Sequence, residues 1–207
     1  MQLGALDVLM VFLVTIGPLK AAIVYTTLTA DADPGFRRSV AIKTVVTATI
    51  VGILFVVAGE FLLKVFHVSI PALKIAGGLI LLLYALSMVT GGESNHDDHA
   101  HTAQSTDIGI YPLAMPLMAT PQGIVAIVTI TATATSTNEV LLIAGLVLGV
   151  MAFNFFFLLA AHRIIGLMGP SALQIVASIV GLLLAALAVQ LMIWGFEGLG
   201  VLEKMPV

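Results

Sequence analysis

The chain has 207 residues, of which 60% are hydrophobic and 9% charged, with a formal net charge of −3. A water-facing surface needs about a quarter of its residues charged, so this composition, with a mean hydropathy of +1.16, excludes a soluble domain and points to an integral membrane protein. The absence of cysteine excludes disulfides, thiol catalysis and thiolate metal sites.

Runs of roughly twenty apolar residues cross a bilayer as helices. They are predicted here at 4–29, 39–64, 70–90, 108–134, 139–162 and 171–196. Their length and continuity suit helices rather than barrel strands. The first run has no basic segment before it and is too long for a signal peptide, so it reads as a span. It is interrupted by Thr15-Ile16-Gly17-Pro18-Leu19-Lys20. A polar turn from Ala30 to Gly35 and the pair Arg37 and Arg38 lead into the second run. A short connection, His67 to Pro71, leads into the third. Gly91 to Asp107 is a hydrophilic linker carrying His96, Asp97, Asp98, His99 and His101. The fourth run is interrupted by Ala119-Thr120-Pro121-Gln122-Gly123.

The breaks fall at corresponding places in two halves, and the text after them rhymes. Pro71-Ala72-Leu73-Lys74-Ile75-Ala76 recurs as Pro170-Ser171-Ala172-Leu173-Gln174-Ile175-Val176. Residues 1–90 form a first three-span repeat, 91–107 a linker and 108–207 a second repeat. Three spans is an odd number, so the copies enter from opposite faces. The expected fold is an all-α membrane protein of two inverted three-helix repeats with broken first helices, a pointer to a transporter and its substrate site. Arg37, Arg38, Lys43 and Arg163 fall on one side and Lys64, Lys74 and Lys204 on the other. That bias places both termini outside.

The candidate substrate site follows from the breaks. Proline inside a span removes a donor and crowds the preceding turn, yet each proline also stands where a half-helix can begin. Thr120 is a good N-cap with Pro121 at the first helical position, and Gly17 and Pro18 can serve likewise. Free amides and dipoles at such ends suit a carboxylate. Lys20, one turn further, adds a full charge, and intramembrane lysines usually face a cavity; the alternatives are snorkelling, or pairing with Glu60 or Asp7. Gln122, Gly123 and Asn154, the last an isolated amide in an aromatic run, complete the set. Asn154 either bonds the solute or pins a neighbouring helix. Glu60 and His162, near the ends of the second and fifth spans, are candidates for proton coupling or are solvated interface residues. Threonines after each break either bond their own backbone or reach the site. Gly145 with Gly149, and Ala76-Gly77-Gly78, are expected to be close-packing faces. His96, His99 and His101 have metal-ligand chemistry, or belong to a solvated acidic linker.

The stretch Gly59-Glu60-Phe61-Leu62-Leu63-Lys64-Val65-Phe66, continuing through Val68-Ser69-Ile70-Pro71-Ala72-Leu73-Lys74-Ile75-Ala76-Gly77-Gly78-Leu79, resembles the MarC family's G-E segment and I-S-x-P-A-L-R-I-A-G-G block. Pro112-Leu113-Ala114-Met115-Pro116-Leu117 is similar to its P-L-A-I-P-L. The resemblance implies an inner-membrane (plasma-membrane) six-span protein akin to the SnatA-type carriers of glycine and alanine. The departures fall at the breaks. Where the family reads D-P-x-G-x-x-P, Gly17 replaces the acid, Lys20 the glycine and Ile23 the second proline. Where it reads G-P-G, Thr120-Pro121-Gln122 stands. A site that loses an acid and gains a lysine is more cationic.

The leading reading is a carrier of small carboxylate-bearing solutes, neutral amino acids of the glycine and alanine class first, working by alternating access. The alternatives are a divalent metal exporter using the histidine loop and an exporter of small organic anions. No histidine–acid pair shares a span face, so no enzyme is expected. The expected partners are a small-molecule solute and the lipid bilayer, with no cofactor and no nucleic acid. Glycine-lined faces permit a homo-oligomer.

Overall fold

The computed structural model describes residues 4–90, 105–167 and 170–202, without the side chains of Leu19, Lys20, Met88, 170–174, 176 and 177. Among these residues all regular structure is helical. The elements are α1 (Ala5–Thr15), α2 (Leu19–Leu28), α3 (Pro34–Val65) and α4 (Ile70–Thr90). They continue through a 3-10 turn (Thr106–Gly109), an irregular segment (Ile110–Met118), α5 (Pro121–Thr131), α6 (Thr137–Leu167) and α7 (Pro170–Gly198).

Four stretches are long and apolar enough to cross a membrane: Pro34–Val65, Ile70–Ser87, Thr137–Leu167 and Ser178–Gly198. Thr106–Met118 with Pro121–Thr131, bent by 59°, makes a fifth if the pair is one span. The predicted span at 4–29 is built as two short helices, α1 and α2, meeting at Ile16 to Pro18. Outward-facing Val57, Phe61, Leu83, Leu141, Phe156 and Leu182 are all more than half exposed, the inside-out surface of a protein solvated by hydrocarbon.

Local chemistry sets the boundaries. The Asp33 carboxylate accepts from the Phe36 amide at 3.1 Å, and Pro34 takes the first helical position, so α3 starts five residues before the predicted 39. Arg37 therefore lies in the first turn of α3 rather than in a loop. It reaches back to the end of α2, donating from Nε to the Thr29 carbonyl (3.1 Å) and from Nη2 to the Ala30 carbonyl (2.6 Å). A cation capping the last carbonyls is the favourable arrangement for a helix C-terminus.

The first half of the predicted fourth span is not a regular α-helix. Tyr111 (φ −131°, ψ 128°) and Met115 (φ −126°, ψ 128°) are extended. Each precedes a proline, Pro112 and Pro116, whose ring disfavours the helical region for the residue before it.

The α5 helix is the centre of the molecule, with Val125 to Thr131 all buried. It packs against α1, α3, α4 and α6. The inward stripe of α3 is mostly small residues, Ala41, Thr44, Ala48, Gly52 and Gly59, with Val40 and Val56 among them, so neighbouring helices approach closely. A Cβ on Gly52 would stand 3.2 Å from Val147 Cγ1, and one on Gly59 only 2.6 Å from Val128 Cγ2. A separate core joins α4 and α7 through Leu81, Ala85, Leu184 and Ala188. Gly78 there lies against Met192 and Gly195 against Ile75, so the two helices run antiparallel.

Gly77 and Gly78 are close-packing positions as expected, whereas Gly145 and Gly149 are not: nothing stands within 4 Å of a Cβ at either. The G-x-x-x-G of α6 faces away from the described body, because the helix buries its other stripe, Ile143, Val147, Val150, Met151 and Asn154.

A Cβ at Gly77 would collide with Val125. Gly77→Val is therefore expected to destabilise the purified protein by about 1–3 kcal/mol. Gly149→Ala, which meets nothing and replaces glycine by a better helix former, should be neutral or stabilising by up to about 1 kcal/mol. Thermal unfolding in detergent, followed by circular dichroism, checks both, and equal losses would contradict the packing described.

Candidate functional site

The two breaks meet. At the first, α1 ends with the Ile16 amide donating to the Phe12 carbonyl at 2.8 Å. The helix then stops because Pro18 has no N–H to continue the ladder. Gly17 is required by close approach, since a Cβ there would lie 2.7 Å from the Leu13 carbonyl oxygen. The following helix starts at Leu19, with Pro18 in the N-cap position and no side-chain cap. The expectation that Gly17 and Pro18 would mirror the Thr120 cap is thus corrected: neither side chain carries an acceptor oxygen.

The second break is capped as expected. Thr120 is the N-cap of α5, its Oγ1 accepting from the Gly123 amide at 3.0 Å, with Pro121 at the first helical position. The Ile124 amide donates to the Thr120 carbonyl at 2.9 Å.

The end of α1 leaves carbonyls without intrahelical donors. Two side chains from distant parts of the chain supply them. The Thr120 hydroxyl donates to the Thr15 carbonyl at 2.8 Å, and Asn154 Nδ2 donates to the Ile16 carbonyl at 2.8 Å. A Cβ on Gly123 would come within 2.7 Å of Ile16 Cγ1, so glycine is what lets the breaks touch. Asn154 is fully buried, and its Oδ1 has no hydrogen-bond partner among the described residues.

The structure therefore gathers Gly17, Pro18, Thr120, Pro121, Gly123 and Asn154 at one place. Gln122 is buried in the first turn of α5 beside them. The Lys20 side chain, and His96, His99 and His101, lie outside the described residues. Gly52 and Asn154 stand near the midpoints of α3 and α6, which sets the breaks level with the middle of these two long helices.

Glu60 and His162 are elsewhere, each eight residues beyond Gly52 or Asn154 and hence about 12 Å further along its helix. Glu60 is exposed and paired with Lys64 at 2.7 Å. His162 Nε2 is 2.9 Å from Thr29 Oγ1, and its ring meets Tyr25 edge-on. Thr29 already donates to the Tyr25 carbonyl at 2.6 Å, so the imidazole nitrogen carries the hydrogen. Tyr25 in turn donates to the Arg37 carbonyl at 2.9 Å.

Several hydroxyls do as membrane threonines commonly do. Thr26 and Thr27 donate to the Ile23 carbonyl and Thr133 to that of Ile130. Thr129 and Thr131 differ, being buried with no partner for Oγ1 among the described residues.

A cavity of about 10 Å³ adjoins the breaks, lined by Ile16, Ala48, Gly52, Thr120, Gly123 and Met151 among others. That is room for about one water-sized group. A larger cleft of about 200 Å³ lies between α3, α4 and α5, against Phe55, Leu62, Phe66, Leu73 and Val128. Its wall is wholly hydrocarbon, so it offers a polar solute no hydrogen bond. Among the described residues, no three His, Cys, Asp or Glu side chains gather as a metal site.

Long apolar helices around two broken ones define a multi-pass integral membrane protein with a polar junction at its centre. The sequence model of the MarC family, described as MarC family integral membrane proteins, matches residues 5–199, and the chain belongs to that family. It is 34% identical over 186 residues to a UPF0056 membrane protein of Methanocaldococcus jannaschii, covering 88% of this chain and 91% of that one. Against the UPF0056 membrane protein YvbG of Bacillus subtilis it is 25% identical over 187 residues, covering 88% and 89%. Against YhcE of Escherichia coli it is 25% identical over 191 residues, covering 89% and 87%. No solved structure matches.

Thr120→Val removes both the cap of α5 and the bridge to Thr15. Losing a cap costs about 1 kcal/mol and a buried carbonyl left unpaired about 1–3 kcal/mol more. A clear fall in melting temperature is expected for Thr120→Val, with Thr120→Ser close to the parent. Equal behaviour of the two variants would show that the hydroxyl does not hold the breaks together.

Proposed function

We propose that the chain is a carrier, not an enzyme, for small carboxylate-bearing solutes, with neutral amino acids of the glycine and alanine class first. It works in the inner (plasma) membrane by alternating access around the two breaks. The observation that carries this reading is the junction itself, where two helices interrupted in mid-membrane meet through Thr120 and Asn154. Irregular backbone at that depth is tolerated only inside protein or along a water-filled path, and broken helices there are how many carriers hold solute.

The packing supports two inverted three-span repeats, counting α1 with α2 as one span. α3 packs on its counterpart α6 and α4 on its counterpart α7. The broken pairs cross over, α1 against α5 and α2 against the Ile110–Met118 segment, as a pseudo-two-fold axis between them requires.

Solute chemistry follows from the same place. The N-terminal ends of α2 and α5 offer partial positive charge to a carboxylate, with Gln122 beside it and Lys20 the second residue of α2. Ala48, Gly52, Ala119 and Gly123 leave little volume, which favours solutes with a hydrogen or a methyl as side chain. His162, tied to the Arg37 cap through Thr29 and Tyr25, is the better placed of the two coupling candidates. Glu60 has its own surface partner.

Flux into proteoliposomes tests the reading. Labelled glycine and alanine are expected to move, leucine at least about tenfold more slowly, given that each lost or gained pocket group is worth 1–3 kcal/mol. Lys20→Ala and Gly123→Val should each reduce glycine flux by at least about tenfold. If no glycine, alanine, taurine or dicarboxylate crosses above protein-free vesicles, the carrier reading is wrong.

A further inference from the structure

The cleft of about 200 Å³ between α3, α4 and α5 takes no part in the junction, and its form is unlike that of a solute site. Gly59, Val125 and Val128 make a buried floor, and Phe55, Leu62 and Leu73 half-buried walls. Phe66 and Val68, 71% and 39% exposed, stand at its outer end. We infer that it is a binding groove for one hydrocarbon chain of a membrane phospholipid, drawn from the leaflet on the side of the α3–α4 turn.

Chemistry, length and width together select this occupant. Every lining residue is apolar, so the groove offers nothing to water or to a polar solute. An apolar cavity of about 150 Å³ stays dry and takes a benzene-sized guest, so this one has room for several methylenes. Lipid chains are as apolar as the wall, so the preference comes from filling rather than from escape from water. Lining atoms that face a void forfeit their contacts outright.

The lining runs along α3 from Phe55 to Phe66, about 16 Å at the helical rise. The hydrocarbon core of a bilayer is about 30 Å thick, so one leaflet accounts for about 15 Å. The inner end lies near the middle of α3, less than one turn beyond Gly52. The outer end passes the exposed pair Glu60 and Lys64, the first charges on α3 after Lys43, where hydrocarbon gives way to headgroups. The volume spread over that length gives a mean cross-section of about 12 Å². A helix of a second copy, about 10 Å across, is too wide to enter; a single chain is not.

The groove also reaches the centre of the molecule. Ile124, near the start of α5, borders both the groove and the small void at the two breaks. A bound chain therefore packs against the broken helix one side chain away from the junction, and any shift of α5 against α3 displaces it.

The test places a fluorescent reporter in the groove. The chain has one tryptophan, so Trp194→Phe gives a dark background for Phe55→Trp at the inner end and, separately, for Leu54→Trp beside it. Leu54 is 55% exposed on the outward face at nearly the same depth. The purified full chain in detergent is titrated with phosphatidylcholine brominated on its chains, a contact quencher of indole fluorescence. The groove predicts half-quenching of Phe55→Trp at a lipid fraction at least about fivefold lower than for Leu54→Trp. Leu62→Phe with Leu73→Phe, which fill the groove from both walls, should remove that difference. Should the filled variant not fold, bromine position decides. Bromine near the chain end should quench Phe55→Trp most, and bromine near the headgroup Phe66→Trp, the order for a chain entering from the α3–α4 turn.

Equal titrations for Phe55→Trp and Leu54→Trp, a difference that survives filling, or the reverse bromine order overturn the inference and leave the cleft as ordinary lipid-facing surface. A Phe55→Trp that no lipid quenches also overturns it, because another segment of the chain or a second copy then fills the cleft. None of these results touches the carrier reading, which flux measures separately.

Discussion

Hydrocarbon cannot hydrogen-bond, so a helix interrupted inside the membrane must find partners for its loose carbonyls and amides within the protein. The rest of the structure answers that demand. The Thr15 and Ile16 carbonyls are met by Thr120 and Asn154, from residues more than a hundred positions away. Each of these side chains belongs to a different element, α5 and α6, and both must be delivered to within hydrogen-bond reach of α1. The threonine works twice, capping its own helix while donating to the other break.

Delivering those groups explains the packing around them. Small residues on α3 let α5 and α6 approach closely, and Gly123 lets α5 touch Ile16. Because α5 is buried on every side, it can carry polar residues that no lipid-facing helix would tolerate. The α4–α7 pair has its own core and contacts the centre where Gly77 meets Val125. The fold thus comprises a polar junction, a close-packed inner shell and an outer helix pair with its own core. A carrier that reorients around its centre needs such a junction to be held by a few exchangeable hydrogen bonds rather than by buried ion pairs, whose separation would cost several kcal/mol.

Much of this was legible in the chain. Proline and glycine punctuate helices whatever surrounds them, so both breaks could be placed to within a few residues; Thr120-Pro121 read directly as a cap, whereas the reading of Gly17-Pro18 as its match did not hold. Asn154 stood out as a lone amide among phenylalanines. What could not be read was which orphan each side chain would satisfy, since that depends on tertiary approach rather than on local pattern. The network joining Tyr25, Thr29, Arg37 and His162 was missed for the same reason. The G-x-x-x-G of α6 misled because glycine spacing marks a face but not its partner. The extended residues Tyr111 and Met115 did have a signal, the proline after each, which hydrophobic periodicity overrode.

The account stands or falls on whether the junction opens to one side at a time. The chain has no cysteine, so a single Ala119→Cys substitution places a silent background behind one reporter at the second break. In oriented vesicles, labelling by a membrane-impermeant thiol reagent would be followed from each face, with and without glycine. The account predicts that solute shifts reactivity from one face to the other. Labelling from both faces at once, or from neither under any condition, would contradict it.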